Sequence, residues 1–184
     1  MTFFRLLTLS VILLIGLFSV RAEENPTATF LAEQQLSLPA QFSFRQQRFI
    51  SGLPRPLTSS GVLTITADVI EWHTQQPVAQ HLTISATGIV DTQQDQTMRG
   101  GEVIANILLA VLSGNVQNIE QHFSVAMNGD CAQLTPRDSA LNQFIAHMNT
   151  CGSPQLERIE LHERNGNHSV ITLTPSTAEP TQSD

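Results

Sequence analysis

Residues 62–86 read VLTITADVIEWHTQQPVAQHLTISA, and their alternation decides the fold. Val62 to Ala67, Val69 to Thr74 and Gln80 to Ala86 each alternate apolar with polar side chains, the period of a strand that buries one face. Asp68 and Gln75-Gln76-Pro77 interrupt the runs at the short intervals expected of an antiparallel meander. Strand parity sets Leu63, Ile65, Ile70, Trp72, Leu82 and Ile84 on one apolar face.

The same pattern extends outward in both directions. Upstream, Gln41 to Gln46 alternates with Phe42 and Phe44 on one face, and Ile50 to Ser60 reads as a connection punctuated by Gly52, Pro54 and Pro56, with Ser59-Ser60-Gly61 as its turn. Before it, Thr27 can cap a helix that carries Phe30, Leu31, Leu36 and Leu38 and ends at Pro39. Downstream, a weaker strand at Gly88 to Thr92 is followed by a polar loop over 93–101. A helix is predicted over Glu102 to Leu112, with Ile104, Leu108, Val111 and Leu112 on one face and Gly114 as its stop. Ile107 and Leu109 widen that stripe beyond what a helix with its back in water needs, so it is either buried on both sides or borders an apolar cavity.

Asn118 to Phe123 suggests a further helical turn. Strands follow at Phe123–Met127, Cys131–Leu134, Ala140–Met148, Leu156–Glu163 and Ser169–Thr174. Asn128-Gly129-Asp130 and Asn165-Gly166-Asn167 mark hairpins, because Asn-Gly accepts the positive φ of tight turns. The implied fold class is α+β, mainly β: a curved antiparallel sheet of about ten strands with two or three helices covering it.

The N-terminus predicts export. Arg5 precedes the apolar run Leu6 to Phe18, and Val20-Arg21-Ala22 supplies a small-residue cleavage site, so residues 1–22 read as a signal peptide cut after Ala22. The run is shorter than a spanning helix needs and no cysteine stands at the cleavage site for lipid attachment. The mature chain is then one domain over residues 23–175 with a disordered tail at 176–184. Its 162 residues suffice to bury roughly 70% of the surface of the unfolded chain.

All nine basic residues are Arg, and seven remain in the mature chain against 16 acids, a net charge of −9. Such a surface is repelled by nucleic acid and by anionic membranes. The even cysteine pair, Cys131 and Cys151, is expected to form a disulfide in an exported chain.

Catalytic patterns are absent: no G-x-S-x-G, H-E-x-x-H, phosphate loop or dinucleotide fingerprint occurs. The six histidines are scattered, none at i, i+4 from another, and read as solvated surface groups. The chain is therefore read as a non-enzyme without cofactor or metal. Trp72, the only tryptophan in a chain without tyrosine, is either ordinary core or one wall of an apolar pocket.

The order of several pieces resembles the periplasmic outer-membrane lipoprotein carriers, the LolA-like proteins. An F-x-Q strand (Phe44-Arg45-Gln46) is followed by a G-x-L entry (Gly61-Val62-Leu63), a Trp-bearing strand (Glu71-Trp72-His73) and Pro77. An apolar helix (Val103 to Leu112), a strand-turn-strand ending in Leu134-Thr135-Pro136 and a hairpin over Ile159 to Thr174 complete it. The resemblance implies an unclosed β-barrel with helices as a lid over an apolar concave face, which carries acylated lipoproteins toward the outer membrane. The arginine and proline that latch the lid in typical members fall on Ala67 and Asp68 here. The connection Ser51 to Gly61 instead resembles a divergent branch associated with acyltransferases and lipid exporters, so a glycolipid or other acylated product is an alternative cargo.

Together these readings predict a soluble, monomeric periplasmic carrier whose acyl-binding surface comprises Phe42, Phe44, Leu63, Ile65, Ile70 and Trp72, with Leu82, Ile84, Leu108 and Leu112 completing it. An inner-membrane exporter and an outer-membrane acceptor are the implied partners. The alternative is an accessory subunit of an envelope lipid exporter or acyltransferase that does not itself bind lipid.

Overall fold

The structure, a computed structural model, describes residues 26–98, 101–113 and 115–176. Residues 1–25, 99–100, 114 and 177–184 lie outside the described residues, and with them the expected signal peptide, the expected helix stop at Gly114 and most of the expected tail. In chain order the elements are α1 (Pro26–Glu33), β1 (Ala40–Phe49), β2 (Leu57–Ile65), β3 (Val69–Gln76), β4 (Gln80–Ser85), β5 (Gly88–Asp91) and β6 (Gln96–Thr97). Then come α2 (Gly101–Leu112), α3 (Val116–His122), β7 (Phe123–Asn128), β8 (Cys131–Pro136), α4 (Ser139–Asn142), β9 (Ile145–Cys151), β10 (Arg158–Glu163) and β11 (His168–Pro175).

The strands form one antiparallel sheet in the order β6-β5-β4-β3-β2-β1-β11-β10-β9-β8-β7. The two ends of the chain of strands, β6 and β7, do not pair with each other, so the barrel is unclosed. Helices cover the gap: α2 packs on β5 and β4 near one end, α3 on β7 at the other, and the two helices touch, with α1 against α3, β7 and β8.

Register turns the sequence alternation into stacked apolar rows on the concave face. Phe42, Leu63, Trp72 and Leu82 lie side by side across β1 to β4. Ile65, Ile70, Ile84 and Ile89 form the adjacent row. Leu31 of α1, Ile107, Val111 and Leu112 of α2 and Ile119 of α3 complete the same core. Each fully buried aliphatic side chain of this kind contributes about 1.5–3 kcal/mol relative to exposure.

Four expectations are corrected. The helix α1 stops at Glu33 rather than at Pro39: Gln35 N–H turns back to Ala32 O at 3.1 Å, and the Gln34 amide donates to Gly152 O at 2.9 Å, which ties the segment to a distant loop. The pre-proline position then favours extended backbone. Leu36 is nonetheless buried from this loop. Ser59-Ser60-Gly61 is not a turn but the interior of β2, which begins at Leu57. The predicted strand Ala140–Met148 is split, because Asp138 accepts from Ala140 N–H at 2.9 Å and caps α4, so that β9 starts only at Ile145. An eleventh strand, the two-residue β6, lies in the stretch read as loop.

Cys131 and Cys151 face each other across β8 and β9, with Cα atoms 4.2 Å apart, and are joined by a disulfide. The bridge closes a loop of 20 residues, for which chain entropy gives a stabilisation of about 3 kcal/mol. Replacing both cysteines with serine is expected to lower the unfolding free energy by that order in denaturant titrations. An unchanged midpoint would mean that strand pairing alone constrains this loop in the unfolded chain.

Candidate functional site

Space opens at the two ends of β1. Near its C-terminal end, a recess of about 370 Å³ lies between α2 and the concave face of β1 to β5. Its walls are Trp72, Leu82, Ile84 and Ile89 from the sheet and Leu108 from α2, with Pro77 and Val78 of the β3–β4 turn at the side. Gln46, Ser59, Thr74 and Gln80 form the polar part of the lining. These arise from the same alternation as the core: Gln46 follows Phe42 and Phe44 on the inward face of β1, and Thr74 follows Ile70 and Trp72 on β3.

Four of the ten residues chosen from sequence parity, Trp72, Leu82, Ile84 and Leu108, meet in this recess. Phe44 backs it by packing on Trp72, ring centroids 4.9 Å apart at 57°. Phe42 lies instead at the other end of β1, in a recess of about 560 Å³ whose lining includes Leu36, Gln41, Thr64, Pro154 and Ser176. Leu63, Ile65, Ile70 and Leu112 are closed inside the core and line neither recess. Parity identifies the inward face but not where the helices leave it uncovered. The four polar residues were missed because only the apolar members of each run were selected, and Ile89 because its weaker strand, Gly88 to Thr92, contributed no candidate.

One carboxylate stands behind the polar lining, bonded to Gln80. Asp91, on β5, is almost buried and accepts from Gln80 Nε2 at 3.0 Å and from the backbone N–H of Gln93 and Gln94 at 3.0 and 3.2 Å. The Gln80 amide, and then the two backbone donors, outweigh desolvation and hold it below the usual carboxylate range. Among the described residues no charged side chain lines the recess. Ala67 and Asp68, at the positions of the latch, are exposed in the β2–β3 turn, which Thr66 closes through hydrogen bonds with Val69.

On the opposite face the histidines are organised. His147, His162, His168 and Phe49 stand in one cross-strand row over β9, β10, β11 and β1. Their centroids are separated successively by 4.3, 5.4 and 4.3 Å. His73 and His81 form a second stacked pair at 5.0 Å. Burial, and then the positive field of His162, hold His147 below the ordinary value of 6.5, with Arg164 acting in the same direction and Glu160 opposing. The folded chain therefore binds fewer protons there than the unfolded chain. This stability contribution is present above pH 6.5 and declines as pH falls through the lowered folded value. Denaturation midpoints are expected to drop on acidification through that window, and to drop less in His147→Gln; parallel profiles for the two proteins would assign the dependence elsewhere. Among the described residues no group of three or more His, Cys, Asp or Glu side chains is arranged to hold a metal ion.

No protein-family model matches the chain, and no curated protein matches it. Among solved structures it is similar to a LolA superfamily protein from Nitrosomonas europaea, at 8% identity and a TM-score of 0.44 over 81% of this chain and 90% of that one. It is also similar to a DUF1329 family protein from Desulfovibrio piger, at 9% identity and a TM-score of 0.33 over 81% of this chain and 89% of that one. The solved structures this chain is similar to thus include LolA superfamily and DUF1329 family proteins, and at these identities the likeness is one of fold.

Proposed function

We propose that this chain is an exported carrier that shelters the acyl chains of lipoproteins or other acylated lipids between its concave sheet and α2. The supporting observation is the recess under α2, walled by Trp72, Leu82, Ile84, Ile89 and Leu108 and continuous with the core. Its volume of about 370 Å³ lies at the low end of the range for small-molecule sites, roughly 300–1,000 Å³. It takes the end of an acyl chain. Admitting more of the chain requires α2 to move off β4 and β5, so that the chain replaces Ile107, Val111 and Leu112 against the sheet. Each methylene transferred from water contributes about 0.8 kcal/mol, so capture needs no charged contact.

In this reading residues 1–22 direct export and are removed after Ala22, residues 23–175 form the carrier, and it works as a periplasmic monomer without catalysis. An inner-membrane exporter loads it and an outer-membrane acceptor unloads it. No helix among the described residues is long and apolar enough to cross a membrane.

The test is native mass spectrometry followed by organic extraction, on mature protein purified from its own periplasm. An acylated species in stoichiometric amount is expected. Ligand-free protein that also ignores added lipids would overturn the carrier reading in favour of an accessory subunit.

A further inference from the structure

We infer that the recess selects cargo whose headgroup is uncharged and rich in hydroxyls, and rejects acyl chains that end in phosphate, sulfate or carboxylate. This rests on the carrier reading and adds to it the chemistry of the group left at the mouth when the chain is inside.

Inward-facing polar side chains are unusual on a concave face whose other rows are apolar, yet Gln46, Ser59, Thr74 and Gln80 cluster at one end of it and line the recess. Their hydrogen bonding leaves a mixed set of uncharged partners. Ser59 Oγ donates to Gln46 Oε1 at 3.4 Å, which leaves the NH2 of Gln46 as a donor. Gln80 gives its Nε2 to Asp91 and keeps its Oε1 as an acceptor. The Thr74 hydroxyl serves as either. Sugar and glycerol hydroxyls, each donor and acceptor at once, satisfy such a set.

An anionic headgroup meets the reverse. Phosphate and carboxylate recognition relies on Arg forks, Lys or clustered backbone N–H groups, and among the described residues no Arg or Lys lines the recess. The next inward position of β1 does carry an arginine, Arg48, but Glu163 of β10 engages it at 2.9 Å. Behind Gln80 stands the ionised Asp91, whose field opposes a second negative charge. Asp91 is itself bonded by Gln80 and by the backbone N–H groups of Gln93 and Gln94 and does not line the recess, so it offers an ammonium group no direct contact there.

Trp72 provides the readout, since it is the only tryptophan and lines the recess. Titrating the mature protein with dodecyl glucoside, monolaurin, dodecyl phosphate and dodecylammonium, each below its micelle concentration, holds the chain constant and varies the headgroup. The glucoside and monolaurin are expected to bind at least about tenfold more tightly than the phosphate, a difference of about 1.4 kcal/mol. Gln80→Arg should narrow that gap by strengthening phosphate binding. Preference for the glucoside alone would assign the site to sugars, whereas equal binding of monolaurin assigns it to hydroxylated headgroups in general. Equal affinity for all four amphiphiles would overturn the headgroup inference while leaving the carrier reading intact, as would tighter binding of the phosphate or the ammonium. Failure of every amphiphile to bind would overturn the carrier reading, and this inference with it.

Discussion

Gly61→Ala is expected to cost roughly 3 kcal/mol or more, and to lower the melting temperature by roughly 6–12 °C. Gly61 sits inside β2 opposite Thr74, beside a register shift between Ser60 and Gly61. A Cβ at this position would stand 1.9 Å from the carbonyl oxygen of His73 and 2.9 Å from the Phe44 ring. The closer obstacle is backbone, so no rotamer change relieves it, and β2 and β3 must separate where Phe44 and Trp72 pack. The control is Gly52→Ala. Gly52 has φ of 89° with nothing within 4 Å of an added Cβ, so it incurs only the left-handed strain of about 1–2 kcal/mol. Thermal unfolding followed by Trp72 fluorescence separates the two. Equal and small losses would show that β2 and β3 part at this point without consequence.

Leu108→Glu is expected to weaken acyl binding by roughly 2–3 kcal/mol, or 30- to 150-fold, in a protein that remains folded. Leu108 lies on α2 over the recess and is only half-buried, so in the free protein a glutamate can keep its carboxylate in water. An acyl chain entering between α2 and β4 covers that carboxylate and loses the leucine contact at the same time. Trp72→Glu is a poorer test, because Trp72 is packed on Phe44 inside the core and its replacement reports on folding as much as on binding. Affinity for dodecyl glucoside that is unchanged in folded Leu108→Glu would remove the recess under α2 from the binding path.

The two predictions draw on different levels of information. Leu108 was legible in the sequence, since an apolar stripe wider than a surface helix requires signals that a second apolar surface lies nearby. Gly61 was legible only as a glycine. Beside two serines it reads as a turn, and its role emerges from the approach of β3 to β2, a contact between residues separated by a hairpin. The disulfide was expected from parity and compartment alone, but its placement across β8 and β9 depends on register. The histidines show the limit most clearly: scattered along the chain, His147, His162 and His168 become one stacked row because three strands pair in a particular alignment.

The amino-acid pattern alone establishes which residues face inward, because a strand's side chains alternate whatever its neighbours are, and the apolar phase must be buried. It likewise determined that the sheet is antiparallel and mostly meandering, through short runs bounded by turn residues. Which inward residues remain accessible depends on how distant segments pack. Trp72, Leu82, Ile84 and Leu108 border space while Leu63, Ile65, Ile70 and Leu112 do not. Alternation is a property of each strand alone, whereas accessibility depends on where α2 and the other helices cross the sheet, which is set by packing between segments distant in the chain.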